Sequence, residues 1–265
     1  MNAGPGYNSP VLTFSLQSGS NGNSIYVEAD GVRLLFDAGI SGSMAERRMA
    51  SHGRDIRDVS AVIISHEHMD HVRSAGIYQR KFGLPVFITR KTHAAASRWC
   101  NLGRMSDVRY FQSGQVLSFN GVTVYTIPTA HDAVDGVAFV VASDGKCLGI
   151  LTDLGHPFAE LPRILASVDA AYLECNYDPE MLDTGSYPAA LKARIKGPGG
   201  HLSNDEAAAL LRGCGRKRPN WIAAAHLSEE NNHPDLAIAA QHAAVGRDYP
   251  VHLASRYEAS VSLTV

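Results

Sequence analysis

No stretch of these 265 residues approaches the ~18–20 consecutive apolar positions that a bilayer-spanning helix needs. Charge of one sign is not in excess either. The formal net charge of −2 excludes the broadly basic character of many nucleic-acid proteins, yet leaves room for a local basic rim. Cysteine is scarce: Cys100, Cys147, Cys175 and Cys214 are scattered and form no CxxC pair, so reduced thiols are expected. The opening Met1-Asn2-Ala3-Gly4-Pro5-Gly6 has neither the basic nor the apolar segment of a secretory leader. The expectation is a cytoplasmic protein without a membrane partner. Internal repeats and low-complexity linkers are absent too. A composition of 45% hydrophobic and 19% charged residues is that of an ordinary globular chain. Its length fits one large domain or two small ones, and a single domain over 1–265 is expected.

The first ten residues, rich in Gly, Pro and Asn, read as a loose lead-in. Short β-like runs follow at Val11–Leu16, Ser24–Glu28 and Val32–Phe36, the last two joined by a turn at Ala29-Asp30-Gly31. Further strands are predicted at Ala61–Ile64, Pro85–Thr89, Val116–Phe119, Val122–Ile127, Val137–Val141, Cys147–Leu151, Ala170–Glu174 and Trp221–Ala224. Asn120-Gly121 and Asp144-Gly145 mark two more hairpins. Helices are predicted over Ser41–His52, Val72–Phe82, Lys91–Cys100, Asp183–Lys196, Ser203–Gly213 and Pro234–Ala244. Strands come in clusters with helices inserted between them. That pattern favours an α/β (α+β) arrangement of two packed mixed sheets with helices outside.

The chemistry concentrates in Ser65-His66-Glu67-His68-Met69-Asp70-His71, directly after an apolar run. In an extended segment His66 and His68 face the same way and can share a metal, because side chains alternate with period two. Asp70 and His71, past the turn, can aim at a second ion nearby. Imidazole and carboxylate suit zinc, manganese or iron(II). Three later loops supply more donors: His131 after Val122–Ile127, Asp153 after Cys147–Leu151, and His226 after Trp221–Ala224. Each follows the C-terminal end of a strand, where a rigid sheet can position a functional loop.

The order His66, His68, Asp70, His71, His131, Asp153, His226 resembles the full ligand series of the metallo-β-lactamase superfamily, and the likeness runs from about Leu12 to about Val261. It implies an αββα four-layer sandwich with two divalent metal ions, zinc or manganese, along one edge. His66, His68 and His131 would hold the first; Asp70, His71 and His226 the second; Asp153 would bridge. Gly200-His201-Leu202-Ser203-Asn204, paired with His226-Leu227-Ser228-Glu229-Glu230-Asn231-Asn232, is similar to the nuclease branch that includes tRNase Z and RNase J. Taken with Ser18–Ser24, Leu35–Gly39 and Leu173–Asp178, the chain looks most like the YycJ/WalJ group. That implies a DNA exonuclease of 5′-to-3′ polarity, with nucleic acid as its partner. The chain is too short for the β-CASP domain of RNase J and shows no long exosite arm like that of tRNase Z.

A metal-dependent phosphodiesterase has a use for His201, to contact the scissile phosphate or protonate the leaving group. Asp70 and His201 are therefore the catalytic candidates. A thioester or lactone hydrolase of the glyoxalase II type would largely have none, and a small cyclic phosphodiesterase is a nearer alternative. Ser203 reads as a helix N-cap, with Glu206 completing a capping box that would fix the direction of His201. Glu174 reads either as a partner orienting a ligand histidine or as a buried glutamate paired with an arginine, and Asp37 as a similar support. Ser18, Asn21 and Asn23 form a polar loop that is either a contact for phosphate or a plain turn. Arg73, Arg90, Lys91, Arg98, Arg104, Arg194 and Lys196 are candidate phosphate contacts. His52, His93, His242 and His252, and with them His156 and His233, read as structural or surface residues.

Overall fold

The computed structural model describes residues 10–265. The expected lead-in, apart from Pro10, and with it the opening read for a leader, therefore lies outside the described residues. Six strands come first: β1 (Leu12–Gln17), β2 (Ser24–Ala29), β3 (Val32–Phe36), β4 (Ala61–Ile63), β5 (Val86–Thr89) and β6 (Val108–Phe111). Seven follow: β7 (Val116–Phe119), β8 (Val122–Pro128), β9 (Val137–Ser143), β10 (Lys146–Leu151), β11 (Ala170–Glu174), β12 (Trp221–Ala225) and β13 (Val251–Leu253). The last, β14 (Leu263–Thr264), returns to β1. The first sheet runs β14-β1-β2-β3-β4-β5-β6 and the second β13-β12-β11-β10-β9-β8-β7.

Three tight turns set the hairpins. Asp30-Gly31, Asn120-Gly121 and Asp144-Gly145 all sit at positive φ, as a type I′ turn demands. Beyond the hairpins that end in β3 and β10 the strands become parallel: β3 to β6 in one sheet, β10 to β13 in the other. β8 and β10 are both antiparallel to β9, so they point the same way.

Helices fill the crossovers. α1 (Gly42–Ser51), α2 (Met69–Val72), α3 (Ala75–Phe82) and α4 (Arg90–Trp99) serve the first sheet. α5 (Leu161–Leu165), α6 (Pro179–Thr184), α7 (Ala189–Lys196), α8 (Asn204–Gly213) and α9 (Pro234–Val245) serve the second. Strand alternation sorts the apolar side chains into three layers. Leu34, Phe36, Ile63, Phe139 and Tyr172 pack between the sheets. Leu35, Val62 and Ile64 face out towards Met49, Tyr78 and Phe82. Ala171, Leu173 and Ile222 face the other way, towards Leu161, Leu210, Leu211 and Ala237. The result is the four-layer αββα sandwich of the α/β class, and among the described residues no helix is long and apolar enough to cross a membrane.

Two predicted helices are broken. Val72–Phe82 is α2 and α3, because the Asp70 and His71 carbonyls accept from Asn23 N and Ala38 N, each at 2.7 Å, instead of continuing the ladder. Asp183–Lys196 is α6 and α7, interrupted at Gly185, which takes an extended backbone, and at Pro188, which lies just before α7. Strands β6, β13 and β14 and helix α5 are additions to the predicted elements. β6 is an edge strand with Arg109 and Tyr110 exposed, so it lacks the apolar signal of a buried strand.

Candidate metal centre

Six side chains reach one edge of the sandwich from the C-terminal ends of strands. Asp37 follows β3, His66 follows β4, His131 follows β8, Asp153 follows β10, Glu174 ends β11 and His226 follows β12. Asp37, Asp153 and His226 hold φ at 68°, 56° and 56°. The left-handed region is uncommon for residues other than glycine, and among the described residues outside the three hairpin turns these are the non-glycine residues that use it. Strain kept at such a cluster is a mark of a site whose geometry the fold over-determines.

All seven residues named as ligands in the sequence come together. His66, His68 and His131 each bring a donor atom within 4.8 Å of the others. Asp70, His71 and His226 do the same. Asp153 joins one group with His66 and His71, and another with Glu174, His201 and His226. Its Oδ2 lies 3.3 Å from His71 Nε2, and its Oδ1 lies 3.7 Å from His131 Nε2. This carboxylate thus reaches both histidine sets. Its Oδ2 is buried with no hydrogen-bond partner, a costly condition for a carboxylate oxygen that a divalent cation would relieve. The donor set of imidazoles and carboxylates suits such an ion.

The other nitrogen of each ring is held from behind. Asp37 Oδ2 accepts from His71 Nδ1 at 2.7 Å, while its Oδ1 accepts from Ser65 N at 2.8 Å. Ser65 Oγ donates to Asp37 Oδ2 and sits 2.8 Å from His66 Nδ1. The Gly200 carbonyl accepts from His131 Nδ1 at 2.8 Å. Glu174 Oε1 lies 2.7 Å from His201 Nδ1 and 3.4 Å from His226 Nδ1, and Oε2 accepts from Leu154 N and Leu202 N. Such bonds fix ring orientation and tautomer. His68 is different. It stands at the N-cap of α2 without a cap bond, and its Nδ1 turns instead to His66 Nε2 and His131 Nε2 at 3.1 and 3.2 Å.

Of the remaining readings, Glu174 is a partner of two histidines rather than of an arginine, and Asp37 is the support expected. Asn23 Nδ2 lies 2.9 Å from His71 Nε2 and donates to Asp70 Oδ2 at 3.2 Å, while Ser18 Oγ accepts from His226 N. The capping box of Ser203 and Glu206 is present on α8. His52 stacks on Phe14, His252 lies against Trp221, and His242 bonds the Tyr249 carbonyl. His93 pairs with Tyr110, His156 with the Pro198 carbonyl, and His233 caps α9. Arg194 and Lys196 are engaged by Asp132 and Asp183. Two contributors went unread in the sequence: Ser65, and Asp132, whose Oδ1 lies 3.6 Å from His131 Nε2. Their adjacency to His66 and His131 was the available signal.

Charge divides the histidines. Burial, with neighbouring His71, His131 and His68, holds His66 well below the usual imidazole range, and burial with His131 lowers His68. Burial also opposes charge on His71 and His226, but the surrounding carboxylates, Asp153 first, win. His71 is held well above the ordinary value and His226 is pushed up to about 10. Burial disfavours the ionised forms of Asp70 and Asp153, yet the same histidines keep both carboxyls low. A raised imidazole pKa stabilises the folded, metal-free chain fully below pH 6.5, and for His226 that gain is lost as pH rises through about 10. A ligand imidazole must be neutral. Loading a divalent ion at pH 7 should therefore release about two protons, from His71 and His226, and apparent affinity should climb with pH. Calorimetric titration in buffers of different ionisation enthalpy counts them; a count of zero would show both rings already neutral.

Gly39 holds the second set in place. A Cβ there would lie 1.6 Å from the Asp70 carbonyl oxygen and 2.6 Å from Asn23 N. Gly39→Ala should cost about 3 kcal/mol or more through this backbone clash, a Tm lower by about 6–12 °C, read by thermal melting of the metal-free protein. An unchanged melting curve would mean that the Asp70 backbone can move freely.

A family profile described as the metallo-beta-lactamase superfamily matches residues 18–146. The chain is 35% identical over 247 residues to the exodeoxyribonuclease WalJ of Streptococcus pneumoniae, covering 89% of this chain and 91% of that one. It is 34% identical over 227 residues to the exodeoxyribonuclease YycJ of Bacillus anthracis, covering 85% and 86%. Among solved structures, the metallo-β-lactamase fold protein YhfI of Bacillus subtilis superposes with a TM-score of 0.73 at 17% identity, over 97% of this chain and 100% of that one, a likeness of fold. The sandwich, the strand-end cluster and these relatives agree, and the chain belongs to the metallo-β-lactamase superfamily, in its YycJ/WalJ group.

Proposed function

We propose that this chain is a two-metal phosphodiesterase that degrades DNA from an end, in the 5′-to-3′ direction, within one domain spanning the sequence. Zinc or manganese fits the donors, with His66, His68 and His131 on one ion, Asp70, His71 and His226 on the other, and Asp153 between. Bound there, the ions supply an activated water and offset charge on the phosphoryl oxygens. The rest is done by side chains. Asp70 and Asp153, ionised despite burial, match the positive charge the centre must hold. Asn23 steadies Asp70 and His71.

One observation carries the phosphodiester reading: His201 stands beside the cluster with Nδ1 committed to Glu174 at 2.7 Å, leaving Nε2 for the substrate. Its side chain is partly exposed while Glu174 is fully buried. Carbonyl chemistry on a thioester or lactone has little use for a proton donor held in this way. The relatives named as exodeoxyribonucleases support DNA as the substrate class. A cytoplasmic location accords with four unpaired cysteines.

The test is incubation of the manganese-loaded protein with 5′-labelled single- and double-stranded DNA, RNA, a cyclic dinucleotide and a generic thioester, with and without chelator. Release of labelled mononucleotide from DNA at the earliest times, lost with chelator, is the expected result. Thioester turnover without DNA loss would replace this reading with the glyoxalase II type. Hydrolysis confined to the cyclic dinucleotide would replace it with a small phosphodiesterase.

A further inference from the structure

A cavity of about 530 Å³ that the hydrolytic reading does not use lies between edge strand β6, the start of α4 and the loop that carries His131. Its walls come from the start of α4 (Arg90, Lys91), from the end of edge strand β6 (Tyr110, Phe111) and the segment that leaves it, and from Asp135. Asp135 belongs to the loop that carries His131. That loop is pinned to the first ligand motif, since Val134 N donates to Glu67 Oε1 at 2.8 Å and Val137 N donates to the Ser65 carbonyl at 3.2 Å. One wall of the cleft is therefore part of the loop that joins the two histidine-bearing segments.

Three features give it a chemistry. The Arg90 guanidinium lies over the Tyr110 ring at 4.1 Å, a stack with an aromatic and a cationic plane on offer. Tyr110 is exposed although its hydroxyl is tied to His93 Nδ1 at 2.9 Å, so the ring is held out of the core in one orientation. The Lys91 side chain is 72% exposed, and its ammonium pairs with Asp135 at a loose 3.7 Å, so it can turn to an incoming anion. The volume is that of a small-ligand site, and cation plus aromatic plane is the pairing that binds single-stranded nucleic acid without reading its sequence.

We infer that this cleft is a nucleotide subsite for the DNA strand being degraded, with phosphates on Arg90 and Lys91 and one base against the Arg90–Tyr110 stack. The inference rests on the nuclease reading above. It makes the cleft a grip on a strand longer than the scissile linkage, and Asp135, the one acidic residue lining it, a brake on how tightly that strand is held.

The test is fluorescence anisotropy of the metal-loaded protein with labelled phosphorothioate oligothymidylate, which resists turnover, over a range of salt, beside digestion of ordinary oligothymidylate. Removing both cations (Arg90→Ala with Lys91→Ala) should weaken binding about 25-fold at 0.1 M salt and flatten the log–log salt slope by about 1.4, the value for two single-strand phosphate contacts. Tyr110→Ala should weaken binding about 5-fold or more, and Tyr110→Phe, which keeps the ring, should restore it. Asp135→Asn should tighten binding. Lys146→Ala, an exposed cation at the start of β10 and outside the cleft, is the control for general charge loss. If the unaltered protein degrades the oligonucleotide while the cleft variants bind as Lys146→Ala does, the cleft is not a strand site and the nuclease reading stands. If the unaltered protein neither binds nor degrades DNA, the nuclease reading falls and takes the inference with it.

Discussion

Asp153→Ala is expected to lower kcat/KM for DNA about 10³-fold or more, on the ground that metal charge contributes several kcal/mol to the transition state and each 1.36 kcal/mol is tenfold. Among the candidate ligands this carboxylate reaches both histidine sets. His71 Nε2 lies 3.3 Å from Oδ2, while His226 Nδ1 and His131 Nε2 lie 3.4 and 3.7 Å from Oδ1. The buried Oδ2 has no hydrogen bond to lose, so on that side truncation orphans no protein donor. Asp153→Asn keeps the shape but not the charge, and it should fail nearly as badly. It should also leave His226 easier to deprotonate, because Asp153 is the first of the groups that hold that ring charged. The measurements are steady-state kinetics, bound metal by elemental analysis, and circular dichroism to confirm folding. A variant that kept two equivalents of metal and activity within tenfold would remove Asp153 from the centre.

The same residue shows why so much of the site was legible in the sequence and where legibility stopped. His66, His68, Asp70 and His71 fall within six positions, so local geometry alone brings them together. His131, Asp153 and His226 are far apart in sequence, but each ends an apolar strand, and parallel strands deliver their C-terminal ends to one edge. That edge is a consequence of topology, which the strand clusters suggested and the paired registers complete. Glu174 stayed ambiguous because one buried carboxylate looks like another until its neighbours are known; here they are His201 and His226, with no arginine among its hydrogen-bond partners. The unbroken helix expected over Val72–Phe82 failed for a reason no local propensity contains. The Asp70 and His71 carbonyls are claimed by Asn23 and Ala38, from chain some thirty to fifty residues earlier, and this break is what lets His71 face the centre. Edge strand β6 was missed because its exposed Arg109 and Tyr110 lack the periodicity of a half-buried strand, and Tyr110 is one of the residues that give the cleft its chemistry.

His201→Ala should reduce kcat on DNA about 10²–10⁴-fold, the span of a positioned general acid, with little change in KM. The geometry explains the split. Glu174 Oε1 takes His201 Nδ1 at 2.7 Å, and its Oε2 is anchored by Leu154 N and Leu202 N at 3.0 and 3.3 Å. The ring is thus aimed by a carboxylate that is itself immobile, and Nε2 is the atom left to meet the departing 3′ oxygen. Burial opposes charge on Glu174, but His201 and His226 hold its carboxyl well below the ordinary range, so it stays an acceptor at every working pH. A nucleotide ester with a p-nitrophenolate leaving group needs no proton, so the loss on that substrate should nearly vanish. Glu174→Gln should behave as a weaker His201→Ala on DNA, by about 10–100-fold, because the ring keeps its place but loses its charged partner. If His201→Ala slowed both substrates equally, the ring would be holding phosphate or structure rather than giving up a proton. Loss on DNA alone would assign the proton to Nε2.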